Sequence, residues 1–223
     1  MTAASEAPLS RIPLVDEFAL SPEQRRVYDK IVSGPRGQVV GPLRAALHHP
    51  ELADRWQEFG EILRYRTSLP HRLKELAIIL TGRHWNCPVE WAIHADASLR
   101  AGLPPALVDS IRLCQTPTSA DEDELIVYEY TRELLQHGHV SQPIYAAAQA
   151  RFDTVGLVEL TALIGYYSMV AMTLNAHDVP VPDYPGSKLP PLPAGPDGLS
   201  PLAELASAAS APSPSQKQAA RKA

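Results

Sequence analysis

Proline decides where this chain of 223 residues can build regular structure, because it has no amide to donate to a helix or sheet. Ten of its 22 prolines fall between Pro180 and Pro214. From Val179 the chain reads VPVPDYPGSKLPPLPAGPDG and then becomes an Ala/Ser/Pro stretch. Large apolar residues are too sparse there to offset the entropy of ordering. Residues 179–223 are therefore expected to form an extended tail, with 180–185 able to lie along the surface and most of the stretch from Gly186 onward disordered. Residues 1–21 read as an N-terminal arm.

Between 22 and 178 proline has the opposite meaning, since it opens helices. Ser21-Pro22 is an N-cap followed by a first-turn proline, and the helix that it starts closes at Gly34. Ser68-Leu69-Pro70, Cys87-Pro88 and Pro104-Pro105 introduce three more, and Gly102 supplies a helix-ending glycine. Ser119 with Glu122 has capping-box spacing for a helix ending near Gly138. Ser141 heads a helix to about Phe152, and VGLVELTALIGYYSMVAMTLNAH supplies a long final one. Convincing strand alternation is absent. The reading is an all-α domain of about eight helices over 22–178.

Composition narrows the partners. Lys and Arg total 20 against 25 Asp and Glu, a formal net charge of −5, which suits neither DNA nor RNA. No continuous apolar run approaches the roughly 20 residues that span a bilayer, and the first residues lack the pattern of a secretory signal. Two cysteines make no disulfide framework. The expectation is a cytoplasmic protein without nucleic-acid or membrane partners. The final helix is apolar on most faces, and such a helix must be covered on all sides; a subunit interface would cover it, so a homo-oligomer is expected.

Polar residues with chemical potential gather in one stretch, RLKELAIILTGRHWNCPVEWAIH. Cys87, Glu90 and His94 are spaced three and four apart, so they share one helix face. A helix start favours a thiolate at Cys87. A carboxylate four residues before an imidazole can orient it and raise its pKa, and Glu75 on the preceding helix can be brought to the same face. Blander readings use the same spacing: an exposed Glu90–His94 pair, a small buried Cys87, or a solvated Glu75 paired with Arg72 or Lys74. Glu90 and His94 supply two ligands where a catalytic zinc takes three, so neither a metal nor another cofactor is expected.

This stretch, continued through ADASLRAGLPPALVDSIR, resembles the signature hairpin of the carboxymuconolactone decarboxylase family, which includes the alkylhydroperoxidase D-like proteins. The likeness rests on Glu75, the CPVEWAIH motif ending in His94, the small residues 95–101 and Gly102, and it extends over about 49–177. The resemblance implies an all-α fold that assembles as trimers or hexamers with sites at subunit contacts. The peroxidase-like branch carries C-x-x-C before the histidine; here Cys87 keeps the first position and Glu90 replaces the second. That departure points to the decarboxylase-like branch, which needs no cofactor and would act on a small carboxylated lactone or related oxoacid. His94 would then be the general acid/base, Glu90 its orienting partner, and Glu75 a second proton carrier or partner. Arg83 or Arg44 would hold the substrate carboxylate, and Trp85 and Trp91 would wall the pocket. A thiol-dependent peroxidase working through Cys87, or a non-catalytic oligomer whose Pro-rich tail binds a partner, are the alternatives.

Light scattering on the eluted chromatographic peak is expected to return a multiple of the 24.3 kDa protomer mass. A single protomer at micromolar concentration would overturn the oligomer.

Overall fold

The computed structural model describes residues 10–117, 121–183 and 186–192. Eight helices run along them: α1 (Pro22–Ser33), α2 (Pro42–Ala46), α3 (Pro50–Tyr65), α4 (His71–His84), α5 (Pro88–Arg100), α6 (Pro105–Arg112), α7 (Glu122–His137) and α8 (Gln142–Ala176). No strand occurs among the described residues, in agreement with the all-α reading.

The helix boundaries follow from local chemistry. Ser21 accepts a hydrogen bond from the Gln24 amide while the Gln24 side chain accepts one from the Ser21 amide, a reciprocal capping box. Pro22, Pro50, Pro88 and Pro105 sit in first turns, where the missing amide costs nothing. The cap expected at Ser119 lies outside the described residues; Asp121 caps α7, its Oδ1 accepting from the Glu124 amide at 2.8 Å. Gly138 closes that helix in the left-handed region at φ 72°. Within α8, Asp153 leaves helical geometry (φ 56°, ψ −172°), and its carboxylate accepts from the amides of Val155 and Gly156. The rod is thus two helices meeting at a kink, which matches the two segments expected from Ser141 to Phe152 and from Val155 onward.

The element enclosed within the protomer is α4, in which every residue from Leu73 to Arg83 is buried against α5, α7 and α8. The final helix lies at the edge instead. It turns Leu160, Leu163, Tyr167, Val170 and Leu174 inward and leaves Val155, Val158, Met169 and Met172 exposed. By length and composition alone, α8 is apolar enough to cross a membrane, yet half of its most apolar window is buried in the bundle. Counting unbroken apolar runs overlooked it because polar residues such as Glu159 interrupt the sequence.

Both flanking segments dock on the bundle. Ser10 donates its hydroxyl, and Arg11 its amide, to the carbonyl of His177 at the end of α8. Residues 186–192 are extended, as their prolines require, but they are tied down. Trp91 Nε1 donates to the Ser187 carbonyl at 3.1 Å, and Arg83 donates to the carbonyls of Pro190 (2.8 Å) and Pro191 (3.2 Å). The break near residue 179 is therefore a change of conformation, and the packed surface continues to at least Pro191.

The α3–α8 contact depends on a glycine. A Cβ at Gly60 would overlap the hydroxyl of buried Tyr166 and the Arg36 guanidinium that donates to it. Gly60→Ala is expected to destabilise the fold by about 1–3 kcal/mol, read from the urea midpoint at unchanged m-value.

Candidate active site

The turn between α4 and α5 sets the site. Asn86 takes the left-handed conformation (φ 46°), and the Cys87 amide donates to the Gly82 carbonyl at 2.8 Å, so α5 folds back along α4. Glu75, near the start of α4, then faces His94 on the second turn of α5. Their side chains meet in the interior, each residue 3% exposed, with His94 Nδ1 at 2.8 Å from Glu75 Oε2. On the other side of the ring, Glu90 Oε2 lies 3.6 Å from His94 Nε2. The edge-on ring of Tyr167, with centroids 5.2 Å apart, packs against the imidazole.

Two carboxyl groups thus flank one imidazole, and their surroundings drive them apart. Burial pushes Glu75 up, but the hydrogen bond from His94 and the charges of His94, His71 and Arg64 more than reverse this, leaving it below the ordinary glutamate range. Burial also pushes Glu90 up, and here the charges of His94 and Arg64 do not make up the loss. Its Oε2 has no hydrogen-bond partner among the described residues. The two shifts run in opposite directions: the charged form is favoured at Glu75, which pairs with His94 Nδ1, and the protonated form at Glu90, which faces Nε2. Gly82 makes room for that acid: a Cβ there would stand 3.3 Å from Glu90 Cβ.

A cavity of about 320 Å³ opens beside Glu75. Arg64, His71 and Lys74 bring basic groups to its wall, while Leu63, Ile78 and Leu163 make the rest apolar. Lys74 Nζ donates to the main-chain carbonyl of Arg64 at 2.8 Å, and His71 Nδ1 lies 4.0 Å from Glu75 Oε1. None of these three was picked out from the sequence as a site residue. Lys74 carried the available signal, an amine flanked by Leu73 and Leu76 on a helix that is apolar on almost every face. Arg72, the other expected partner of Glu75, pairs with Glu124 and Asp121 instead.

The residues expected to bind substrate lie elsewhere. Arg83 gives its guanidinium to Asn86 Oδ1, Cys114 Sγ and the carbonyls of Pro190 and Pro191. Trp91 is engaged by Ser187, and Trp85 ends α4 with its carbonyl accepting from Asn175. Arg44 lines a separate apolar cavity of about 560 Å³ formed with Leu14, Val40 and Ile93. The four side chains hold helix ends, the tail segment and another pocket, and none lines the cavity at Glu75. Cys87 follows the second of its two readings, a small buried residue. The amides of Val89 and Glu90 do favour its thiolate, but burial outweighs them and its pKa is pushed up to about 12. Among the described residues no group of three or more His, Cys, Asp and Glu is arranged to hold a metal ion.

Residues 50–133, which contain all of α3 to α6 and the whole hairpin, match the carboxymuconolactone decarboxylase family. No curated protein matches the chain. Among solved structures, the fold is similar to an uncharacterized peroxidase-related protein from Silicibacter sp. TM1040, with TM-score 0.64, 15% identity, and 84% of this chain and 98% of that chain covered. A second such protein, from Ralstonia eutropha JMP134 and described as an alkylhydroperoxidase AhpD core, gives TM-score 0.64 at 14% identity, covering 79% of this chain and 94% of that chain. At these identities the likeness is one of fold.

The opposed carboxyl shifts have opposite linkage signs. Glu75, depressed in the fold, lends stability above its unfolded value of about 4.3 and loses it as the pH falls through its folded value. Glu90, raised in the fold, lends stability at low pH and loses it as the pH rises through its folded value. Glu90→Gln removes the second effect alone. The stability of the variant relative to wild type is expected to grow as the pH rises from about 4 to about 8, measured by chemical denaturation; a constant difference would show that Glu90 is not held protonated.

Proposed function

We propose that the protein is a cofactor-independent enzyme of carboxymuconolactone decarboxylase type, which removes CO₂ from a small carboxylated lactone or related oxoacid and protonates the carbon left behind. The observation that carries this reading is the placement of two buried carboxyl groups on either side of the His94 ring, their pKa values moved in opposite directions, next to a small cavity lined by basic groups. Carboxyl groups separated in this way mark acid and base roles.

Loss of CO₂ from such a substrate leaves an electron-rich carbon, or a dienolate, that needs one proton. Glu75 is the member of the trio that lines the cavity. A proton reaches it from His94 Nδ1, and Glu90 refills Nε2 once their 3.6 Å separation closes to hydrogen-bond length. A proton entering from the cavity through Glu75 then returns to Nδ1 while Nε2 gives its proton back to Glu90, which resets the relay. In this scheme Glu75 is both the orienting partner of the ring and the group that meets substrate, and Glu90 is the reserve acid, an exchange of the roles that the i, i+4 spacing suggested. Arg64, whose charge acts on Glu75, Glu90 and Tyr167, stabilises negative charge as it develops.

A peroxidase cycle through Cys87 asks for an accessible thiolate, and this thiol is buried with a raised pKa. The apolar stripe of Val155, Val158, Met169 and Met172 supports homo-oligomer assembly.

With carboxylated muconolactones as substrates, Glu75→Gln and His94→Ala are expected to lower CO₂ release by about 10²–10⁴-fold, the usual worth of a positioned proton carrier. Turnover that survives both substitutions would remove the relay from the mechanism.

A further inference from the structure

The relay leaves one buried amine unused. Lys74 is 7% exposed and lines the same cavity as Glu75. Among the described lysines, at positions 30, 74 and 188, it alone is found on that wall. Its Nζ donates to the Arg64 main-chain carbonyl, a partner that requires a hydrogen but no positive charge. The two acids whose charges act on it are committed elsewhere: Glu75 accepts from His94, and Glu159 accepts from the Ser68 amide and hydroxyl. Burial, assisted by the Arg64 charge, outweighs both acids and moves the amine below the ordinary lysine range. An amine desolvated in an apolar pocket beside another cation is the setting in which lysine becomes a nucleophile.

We propose that Lys74 forms an imine with the substrate and that the cavity takes a small 3-oxo acid, its carboxylate against the Arg64 guanidinium and its ketone carbon against Lys74 Nζ. This rests on the decarboxylase reading above and narrows its substrate. The lone pair of Nζ adds to the ketone carbon; the oxygen takes one proton from Nζ and a second from the relay through Glu75, the C–O bond breaks and water leaves, giving a protonated imine. The bond to the carboxyl group breaks next. CO₂ departs, and its electron pair moves into the carbon skeleton to neutralise the iminium as an enamine. The carbon takes a proton from Glu75, resupplied by His94 and Glu90, and water adds to the regenerated iminium to release a ketone and the free amine. No oxidant or reductant is consumed. The iminium supplies the electron sink, which is why no metal needs to stand beside the departing carboxylate.

The test treats the full-length protein with acetoacetate and cyanoborohydride, which reduces an imine to a stable secondary amine, and reads intact mass and a peptide map. One adduct per chain, on the peptide bearing Lys74, is expected. It should vanish in Lys74→Arg, which keeps the charge and the donor to the Arg64 carbonyl. No adduct, or one shared evenly with Lys30, Lys188, Lys217 and Lys222, overturns the proposal, and the wild-type map decides this even if the variant fails to fold. Trapping is read separately from turnover. CO₂ release that depends on Glu75 without any adduct defeats the imine and leaves the decarboxylase reading. An adduct without CO₂ release does the reverse.

Discussion

The site depends on a hydrogen bond made where water is scarce, between the Glu75 carboxylate and Nδ1–H of His94. Burial alone would neutralise both nearby carboxyl groups, because a charge removed from water loses its solvation. One of them is compensated. Glu75 receives the hydrogen bond and sits where the charges of His71 and Arg64 also act; Glu90 receives none at Oε2 among the described residues, and its pKa moves up instead. The asymmetry is geometric in origin, since the two side chains are the same chemical group at similar depth.

Direction follows from the asymmetry. Cavity, carboxylate, imidazole and acid stand in a row, and the cavity reaches the row through Glu75. Enclosure of α4 by α5, α7 and α8 keeps solvent away from the inner members, and the extended segment at 186–192 ties down the outer side of the hairpin through Arg83 and Trp91. Among the described residues the trio thus meets the cavity at Glu75.

The helices were largely legible in the sequence because their boundaries are local. Ser21 with Gln24, Pro88 after Cys87 and Gly138 each act within a turn or two of chain. The pairing of Glu90 and His94 on one face was legible for the same reason. Which carboxylate would bond the ring was not: spacing of four brings Glu90 near Nε2, but the packing of α4 on α5 brings Glu75, 19 residues away, into better line. The same limit explains Cys87, where a helix-start argument weighs amides and dipole but cannot weigh burial. It explains Arg83 and Trp91 too, whose partners lie about a hundred residues downstream in a segment that composition alone marks as unstructured. Arg64, His71 and Lys74 have the residue types of a solvated surface, and only the fold turns them towards a common cavity.

Gly82 carries a consequence for the spacing of the site. Its missing side chain determines how closely the two helices approach at the level of Glu90. A methyl group there would press on Glu90 Cβ and push α5 away from α4, so the span from Glu75 to His94 across the two helices is set in part by a residue that carries no proton itself.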